Sequence, residues 1–590
     1  MALLSLNDIF FAVVAREASH LMMSKRSGAW VTISSQQLHR QIIAIARSLR
    51  SWGISHSDRV AILSENRPEW TIADFACLLL GAVVVPIYTT LTPEQTQYIL
   101  CDSGARAIFV SNEDQVQKIR SIQNETAVER VVSMDTVQTT STERWSDLVL
   151  AQSFESDTAL EEAARHVRPE DLATIIYTSG TTGTPKGVML SHGNMASNLS
   201  CSLQGFEIGP GHTSISFLPL SHVTARHVDF AMLYHGVDLA YVSFVEQLPQ
   251  ALLEVKPTIF VAVPRVYEKI HAEVERKARG FPKQWIYQSA RAAGRSHRNQ
   301  ILAGIQPSSL AWKMSNRLVY AQVRAGMGGR VQTFISGGAP LGRELAEWYA
   351  DMGIRIHEGY GLTETSPVIA VNTPKAHRIG TVGKPLANVE VRIAQDGEIL
   401  VRGPSVFKGY WNKPTETQAA FIDGWFKTGD VGSLDAEGFL SVTDRKKDLI
   451  KTSGGKFIAP QPIENSLKHN ALIAEAVVLG EKRKFPAVLI APNFSVLESW
   501  ARFHHLPFSS RQELIAHPQV HALYESIVEA FNEKLARFEK LKRVLLVAEE
   551  FSPNNGTLTA SLKLRRRAVQ ERYRDLIEQM YAEAETLTRF

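Results

Sequence analysis

Residues 177–189 read YTSGTTGTPKGVM. The stretch follows the apolar run Leu172-Ala173-Thr174-Ile175-Ile176 and precedes Ser191-His192-Gly193-Asn194, a helix-start pattern. That order predicts a glycine-rich loop leaving a buried strand. Thr178, Ser179, Thr181, Thr182 and Thr184 supply hydroxyls, Gly180, Gly183 and Gly187 allow close backbone approach, and Lys186 adds one positive charge. Such groups suit phosphate oxygens. A Walker loop is excluded, because Gly180 is followed at the required distance by Pro185-Lys186-Gly187, where that motif needs Gly-Lys-Ser/Thr.

The composition around this loop is ordinary for a globular chain: 590 residues, 44% hydrophobic and 21% charged, enough for about three or four domains. A net charge of +4 argues against nucleic acid as the main partner. Cys77, Cys101 and Cys201 are widely spaced without a CxxC, which points to a reducing compartment and away from a disulfide framework or structural zinc. Residues 1–20 lack a basic leader and carry Asn7-Asp8 inside the apolar stretch, so an amphipathic helix is expected there rather than a signal peptide. The apolar run 75–88 is broken by Gly81 and Pro86 and is too short to span a bilayer. A cytoplasmic protein is therefore expected.

Helical spacing over 36–52, and apolar runs at 60–63, 83–87 and 107–110, predict a layered α/β domain with a largely parallel sheet. Residues 135–168 read as an irregular connection. Residues 215–220 lead into Ser221-His222; by itself His222 reads as a packed or hydrogen-bonded histidine, and its spacing to His227 fits no common metal helix. Two further glycine loops follow short strands: Ser336-Gly337-Gly338-Ala339-Pro340 after 331–334, and Glu358-Gly359-Tyr360-Gly361-Leu362-Thr363-Glu364 after 354–356. Ligands bind at such turns in open α/β sheets. Tyr360 can lay its ring against a base, and Glu364 is a hard oxygen ligand suited to magnesium.

Over 376–443 short alternating strands take over, with Val389, Val391 and Ile393 facing Ile399 and Val401 across a hairpin turn at Gln395-Asp396-Gly397. Asp430, after Gly429, suits either an Asx turn or a pair of ribose hydroxyls. The charge-dense run 444–451 reads as an exposed linker, which places a domain boundary there. Beyond it, Val520, Leu523, Tyr524, Ile527, Val528, Phe531, Leu535 and Phe538 keep one helical face and are expected in the core.

The 177–189 string resembles the signature loop of the adenylate-forming superfamily, which includes acyl-CoA synthetases, luciferases and peptide-synthetase adenylation domains, and the likeness extends from about residue 30 to 580. The resemblance implies a large N-terminal domain over 1–444, made of layered α/β subdomains plus a small β-barrel at about 376–443, and a smaller mobile α+β C-terminal domain over 445–590. It implies that ATP phosphates lie against Thr178, Ser179, Gly180, Thr181, Thr182, Gly183 and Lys186. Adenine would lie against Gly338, Ala339, Pro340, Glu358, Gly359 and Tyr360, with Gly361 and Thr363 beside them. Asp430 and Arg445 would take the ribose, and Glu364 and Thr178 a magnesium ion. Residues 218–222 match the segment where ATP and the acyl substrate meet, so His222, Gly337 and Gly361 fall on the acyl side. Lys447 takes the pivot position; Lys563 serves adenylation; Lys451, Gly454 and Gly455 turn toward the site when the thioester forms.

Residues 453–460, SGGKFIAP, and the helical insertion between Pro492 and Lys542 resemble the long-chain acyl-CoA synthetase branch. The resemblance therefore implies a long-chain fatty acid:CoA ligase acting through an acyl-adenylate, with fatty acid, ATP and coenzyme A as substrates. Two alternatives share its ATP residues: an acyl-AMP ligase that loads a carrier protein, and a nucleotide-binding regulator without catalysis. No protein nucleophile is needed, so catalysis falls to positioning and charge neutralisation by Lys186, Lys563, Arg445, Glu364 and His222. Two departures stand out: Val223-Thr224-Ala225-Arg226 where long-chain members commonly read Ile-Phe-Glu-Arg, and Ala560-Ser561 in place of Pro-Thr before Lys563. The basic helical stretch 269–330 leaves two readings, a solvated face or an attraction to coenzyme A phosphates or the acidic inner face of a membrane.

Overall fold

The buried runs of the first two hundred residues pair as one sheet. In the computed structural model, which describes residues 3–139, 142–150, 157–178, 185–453, 456–552, 555–559 and 564–587, the parallel strands Val83–Ile87, Arg59–Leu63, Ala107–Val110 and Arg130–Ser133 lie side by side. Helices Pro68–Leu79, Pro93–Ser103 and Glu113–Ile122 make the crossovers. Val60, Ile62, Val84 and Val132 are fully buried, the continuous apolar signature of strands covered on both faces. Leu172–Thr178 joins this sheet beside Val83–Ile87 and turns back antiparallel into Lys186–Ser191. The expected glycine-rich loop falls between these two antiparallel strands, and its residues 179–184 lie outside the described residues. The predicted helix start follows at once: Ser191 and Asn194 form a reciprocal capping box on helix His192–Ser202.

The segment 135–168 departs from expectation. It contains the edge strand Glu143–Arg144 and the helices Trp145–Leu150 and Thr158–Arg165. Its polar residues mask a few apolar anchors, Trp145, Leu160 and Ala164, that bury against the core.

A second, nine-stranded sheet carries Ala29–Ile33, Met22–Arg26, Asp238–Tyr241, Thr213–Ser216, Ile259–Ala262, Thr333–Ser336, Ile356–Gly361, Val368–Val371 and Lys384–Pro385 in that spatial order. Strand 213–216 and its neighbours through 356–361 run parallel. The predicted hairpin is present, with Val391 opposite Val401 and Ile393 opposite Ile399. It belongs to a five-stranded antiparallel sheet that follows an open path instead of closing as a barrel. The ten-residue strand Trp425–Leu434 explains this: it slips register between Val431 and Gly432 and gives its two ends to different partners.

Beyond residue 445 the apolar clusters are separate from those before it. Strands Ile473–Leu479, Ala487–Pro492 and Val544–Leu546 form a small sheet under helices Pro460–Leu467, Phe494–Phe503 and Pro518–Asn532. Val520, Tyr524 and Val528 are buried as expected, but the helix ends at Asn532, so Leu535 and Phe538 fall beyond it and Phe538 is exposed. Among the described residues no helix is long and apolar enough to cross a membrane.

Candidate active site

The parallel register of the second sheet places its loops on one edge. Ala262, Ser336 and Glu358 lie in register across three neighbouring strands, so Val263, Gly337 and Gly359 all emerge at the same level. Gly338 has φ +84°, a left-handed conformation that side chains rarely adopt. A Cβ on Gly361 would sit 1.8 Å from the Pro367 carbonyl oxygen, so only glycine fits. Residues 358–361 are not a loop, as the glycines suggested, but the end of strand Ile356–Gly361, which switches there from parallel pairing to antiparallel pairing with Val368–Val371. Thr363 and Glu364 follow in a short 3-10 turn, Thr363–Thr365.

Polar pairs bridge this edge. Tyr360 donates its hydroxyl to Asp430 Oδ2 at 2.6 Å, and Arg445 Nε stands 3.0 Å from Oδ1 of the same carboxylate. Asp430 is buried inside strand Trp425–Leu434 and Arg445 closes strand Leu440–Arg445; the two are directly opposite. Burial together with the Asp430 charge pushes the Tyr360 phenol well above its usual range, so it stays a donor. That bond also fixes the ring expected to face a base. Glu358 accepts the Leu341 amide at 3.3 Å, and burial raises its carboxyl to about 7.

A second group gathers at the hairpin. Thr178 is opposite Lys186 across the two strands. Tyr410 donates to Glu364 Oε1 at 2.9 Å, and Lys186 Nζ lies 5.1 Å from the centre of the Tyr410 ring. The short strand Gly409–Tyr410 pairs with Lys186–Ser191 and so brings Tyr410 there. Tyr410 was not among the expected site residues; its only signal was an aromatic following glycine in 409–411.

His222 caps helix Val223–His235, its Nδ1 accepting the Thr224 amide at 3.1 Å. Asn66, also unforeseen, fixes the preceding turn: its side chain donates to Leu218 O at 2.7 Å and accepts from Leu220 N at 3.1 Å. One turn into the helix, Arg226 pairs with Asp74 through contacts of 2.5 and 2.7 Å, both side chains fully buried. The chain thus keeps the arginine of the Ile-Phe-Glu-Arg pattern and departs only in the three residues before it.

The C-terminal unit stands on the same edge. Arg265, just past strand Ile259–Ala262, reaches Ala474 O at 3.4 Å and Glu475 at 3.7 Å, and His469 lies 3.0 Å from Glu344. Asp444 is buried, accepts the Gln461 amide at 3.0 Å and is pushed up to about 6. The expected linker therefore begins as packed structure at Asp444. Lys451 lies in the two-residue strand Ile450–Lys451, where its amide donates to Glu481 at 2.9 Å and its ammonium faces the Phe457 ring at 5.4 Å. Those contacts stay within the C-terminal unit. Gly454, Gly455 and Lys563, like Ser179 to Gly183, lie outside the described residues.

Magnesium is usually held by one or two carboxylates together with substrate phosphates. The donor set here fits that habit: Glu364 is a carboxylate near the Thr178 and Lys186 end of the hairpin, and one of its oxygens is already oriented by Tyr410.

The model of the AMP-binding enzyme family matches residues 10–411, and that of the AMP-binding enzyme C-terminal domain matches 447–585. The chain belongs to the AMP-binding enzyme family. Among its relatives, the long-chain-fatty-acid–CoA ligase FadD15 of Mycobacterium tuberculosis is 36% identical over 559 residues, covering 94% of this chain and 93% of the relative. The human long-chain-fatty-acid–CoA ligase ACSBG2 is 30% identical over 95% of this chain and 90% of its own length. Solved structures share the fold at low identity. The anthranilate CoA ligase AuaEII with anthranoyl-AMP gives a TM-score of 0.73 at 20% identity, covering 99% of both chains. The adenylation domain of a carboxylic acid reductase from Segniliparus rugosus with AMP gives 0.76 at 20%, covering 98% of this chain and 94% of that one.

Proposed function

We propose that the protein is a long-chain fatty acid:CoA ligase that forms an acyl-adenylate from a fatty acid and ATP and then transfers the acyl group to coenzyme A. The observation that carries this reading is that strand Ile356–Gly361 and the turn after it tie residues of three sheets together, through the Tyr360–Asp430–Arg445 cluster and the Lys186–Tyr410–Glu364 cluster, in a chain that is 30–36% identical to ligases named for long-chain fatty acids over nearly its whole length. In the first half-reaction the fatty carboxylate oxygen attacks the α-phosphorus in line and the bond to pyrophosphate breaks. In the second, the coenzyme A sulfur attacks the acyl carbon, its proton passes to solvent and AMP leaves. Lys186 and Lys563 neutralise charge on the phosphate oxygens, Asp430 and Arg445 hold the ribose, and Gly338 to Pro340 with Tyr360 frame the adenine. His222 lies at the acyl end with Gly337 and Gly361. Glu364 and Thr178 would hold magnesium, which when bound neutralises phosphate charge. The C-terminal unit, from Arg445 onward, would turn about Lys447 between the half-reactions and bring Lys451, Gly454 and Gly455 over the site for the second.

The test is formation of AMP, pyrophosphate and acyl-CoA in equal amounts, with ATP, across saturated acids of increasing length. An apolar acyl channel gains about 0.8 kcal/mol per buried methylene, so efficiency should climb roughly four-fold per methylene and then level off. Acetate or benzoate as the best substrate would overturn the branch assignment. Transfer to a carrier-protein thiol in preference to coenzyme A would select the acyl-AMP ligase reading instead.

A further inference from the structure

Residues 276–343 contain twelve Lys and Arg and no Asp or Glu. The whole chain has a net charge of +4, so everything outside this segment sums to −8. The segment folds as helix Lys283–Leu302 followed by Leu310–Ser315, which continues through the π-helical turn Asn316–Tyr320 into Ala321–Ala325. The two helical rods lie antiparallel: Tyr320 donates to Ala290 O at 2.6 Å and Ser309 bonds His297 at 2.9 Å. Their inner faces, with Tyr287, Ala290, Trp312, Tyr320 and Val323, bury in the core of the second sheet.

The outer faces are apolar where a solvated pair would be polar. Phe281 is 91% exposed and Trp285 67%, and Leu310, Met314 and Leu318 make an exposed stripe at four-residue spacing. With Ile305, these are six of the seventeen exposed large apolar side chains among the described residues, packed into 38 positions. The cations Arg279, Lys283, Arg295, Lys313, Arg317 and Arg330 are exposed, and no ion pair is formed by them among the described residues; Arg298, in contrast, is tied down by Glu347 and Asp351.

We propose that this helical hairpin is a docking face for a bilayer surface that contains anionic lipid. Exposed aromatic and aliphatic side chains ringed by unpaired cations have the chemistry of an interfacial anchor: the apolar groups enter the headgroup boundary while the cations meet lipid phosphates. A second copy of the chain fits less well, because a two-fold contact would set one acid-free positive face against another. The face contains none of the residues assigned to nucleotide binding, and its binding is read without turnover, so it stands or falls apart from the ligase reading.

The full-length protein, without nucleotide or acid, is sedimented with vesicles of phosphatidylcholine alone or mixed with phosphatidylglycerol. It is expected on the mixed vesicles, much less on the neutral ones, and less as salt rises. Lys283→Gln with Arg317→Gln should weaken partitioning about five-fold per cation. Trp285→Ser with Leu310→Ser, Met314→Ser and Leu318→Ser should release the protein, whereas Arg537→Gln, an exposed cation elsewhere, should change nothing. The proposal is overturned by failure to bind either vesicle, by equal binding of the wild type and both multiple variants, or by a concentration-dependent dimer that the apolar substitutions abolish.

Discussion

The two units that meet at the proposed nucleotide edge hold it differently. On the N-terminal side the contacts are buried and hydrogen-bonded from both partners: Tyr360 to Asp430, Asn66 to residues 218–220, Arg226 to Asp74. On the C-terminal side, apart from the buried Asp444–Gln461 bond at the joint itself, they are looser: His469 lies 3.0 Å from the exposed Glu344, and Arg265, a third exposed, is 3.7 Å from Glu475. Breaking a buried polar pair leaves a desolvated group unsatisfied, whereas an exposed ion pair contributes at most about 1 kcal/mol. The difference teaches that the edge is preorganised by one unit and only rested upon by the other. Such contacts are what the proposed turn of the C-terminal unit requires.

The sharpest way to break this comparison is to remove the one lysine proposed to serve adenylation from the C-terminal unit. Lys563→Ala should lower fatty-acid-dependent pyrophosphate release by roughly a hundred-fold or more, about 2.7 kcal/mol of barrier, while preformed acyl-adenylate still reacts with coenzyme A. Loss of both steps would tie Lys563 to the folding of the edge. On the fixed side, Glu364→Gln should slow adenylate formation roughly ten-fold or more, with a smaller loss for Tyr410→Phe, which removes only the donor that orients Glu364. Normal pyrophosphate release in Glu364→Gln would refute its assignment to the metal.

The cost of the fixed side should appear in its pH dependence. Asp229, buried beside Ser216 and Tyr241, is pushed up to about 7 from an ordinary 3.8. Between those values the folded chain keeps a proton that the unfolded chain has lost, so this group's contribution to stability is greatest below about 4 and declines as pH rises through 7. Asp229→Asn cannot ionise. Its stability relative to wild type should improve by up to about 4 kcal/mol from pH 4 to pH 8, read as the change in denaturant midpoint difference. A pH-independent difference would show that the carboxyl is not neutral when buried. The smallest effect belongs to the exposed contacts: Glu344→Gln should alter the balance of the two half-reactions by less than about five-fold.

The sequence made local patterns legible. The 172–191 strand, loop and capping box, and the Val391 and Val401 register across a three-residue turn, depend on neighbours and were readable. Residues whose meaning comes from distant partners were not. Tyr410 matters because a two-residue strand brings it to Glu364, 46 positions away, and Asn66 because it holds a turn more than 150 positions on. Tyr360 was expected to stack, and its phenol turned out to have a partner in another sheet. Leu535 and Phe538 kept helical spacing past the end of their helix, since periodicity alone cannot mark a stop. Acid-free composition over 276–343 was visible, but only the fold shows which of its apolar residues face outward.

The most direct test of a fixed edge and an exchangeable unit is to stiffen the joint between them and time the two half-reactions separately. Proline at position 447 fixes φ and restricts Lys446 before it. With far-ultraviolet circular dichroism unchanged, Lys447→Pro should keep fatty-acid-dependent pyrophosphate release within roughly ten-fold of wild type and lose most of its transfer of preformed acyl-adenylate to coenzyme A. Equal loss of both steps in the folded variant would mean that one closed arrangement serves both, and the exchangeable contact would have no role in turnover.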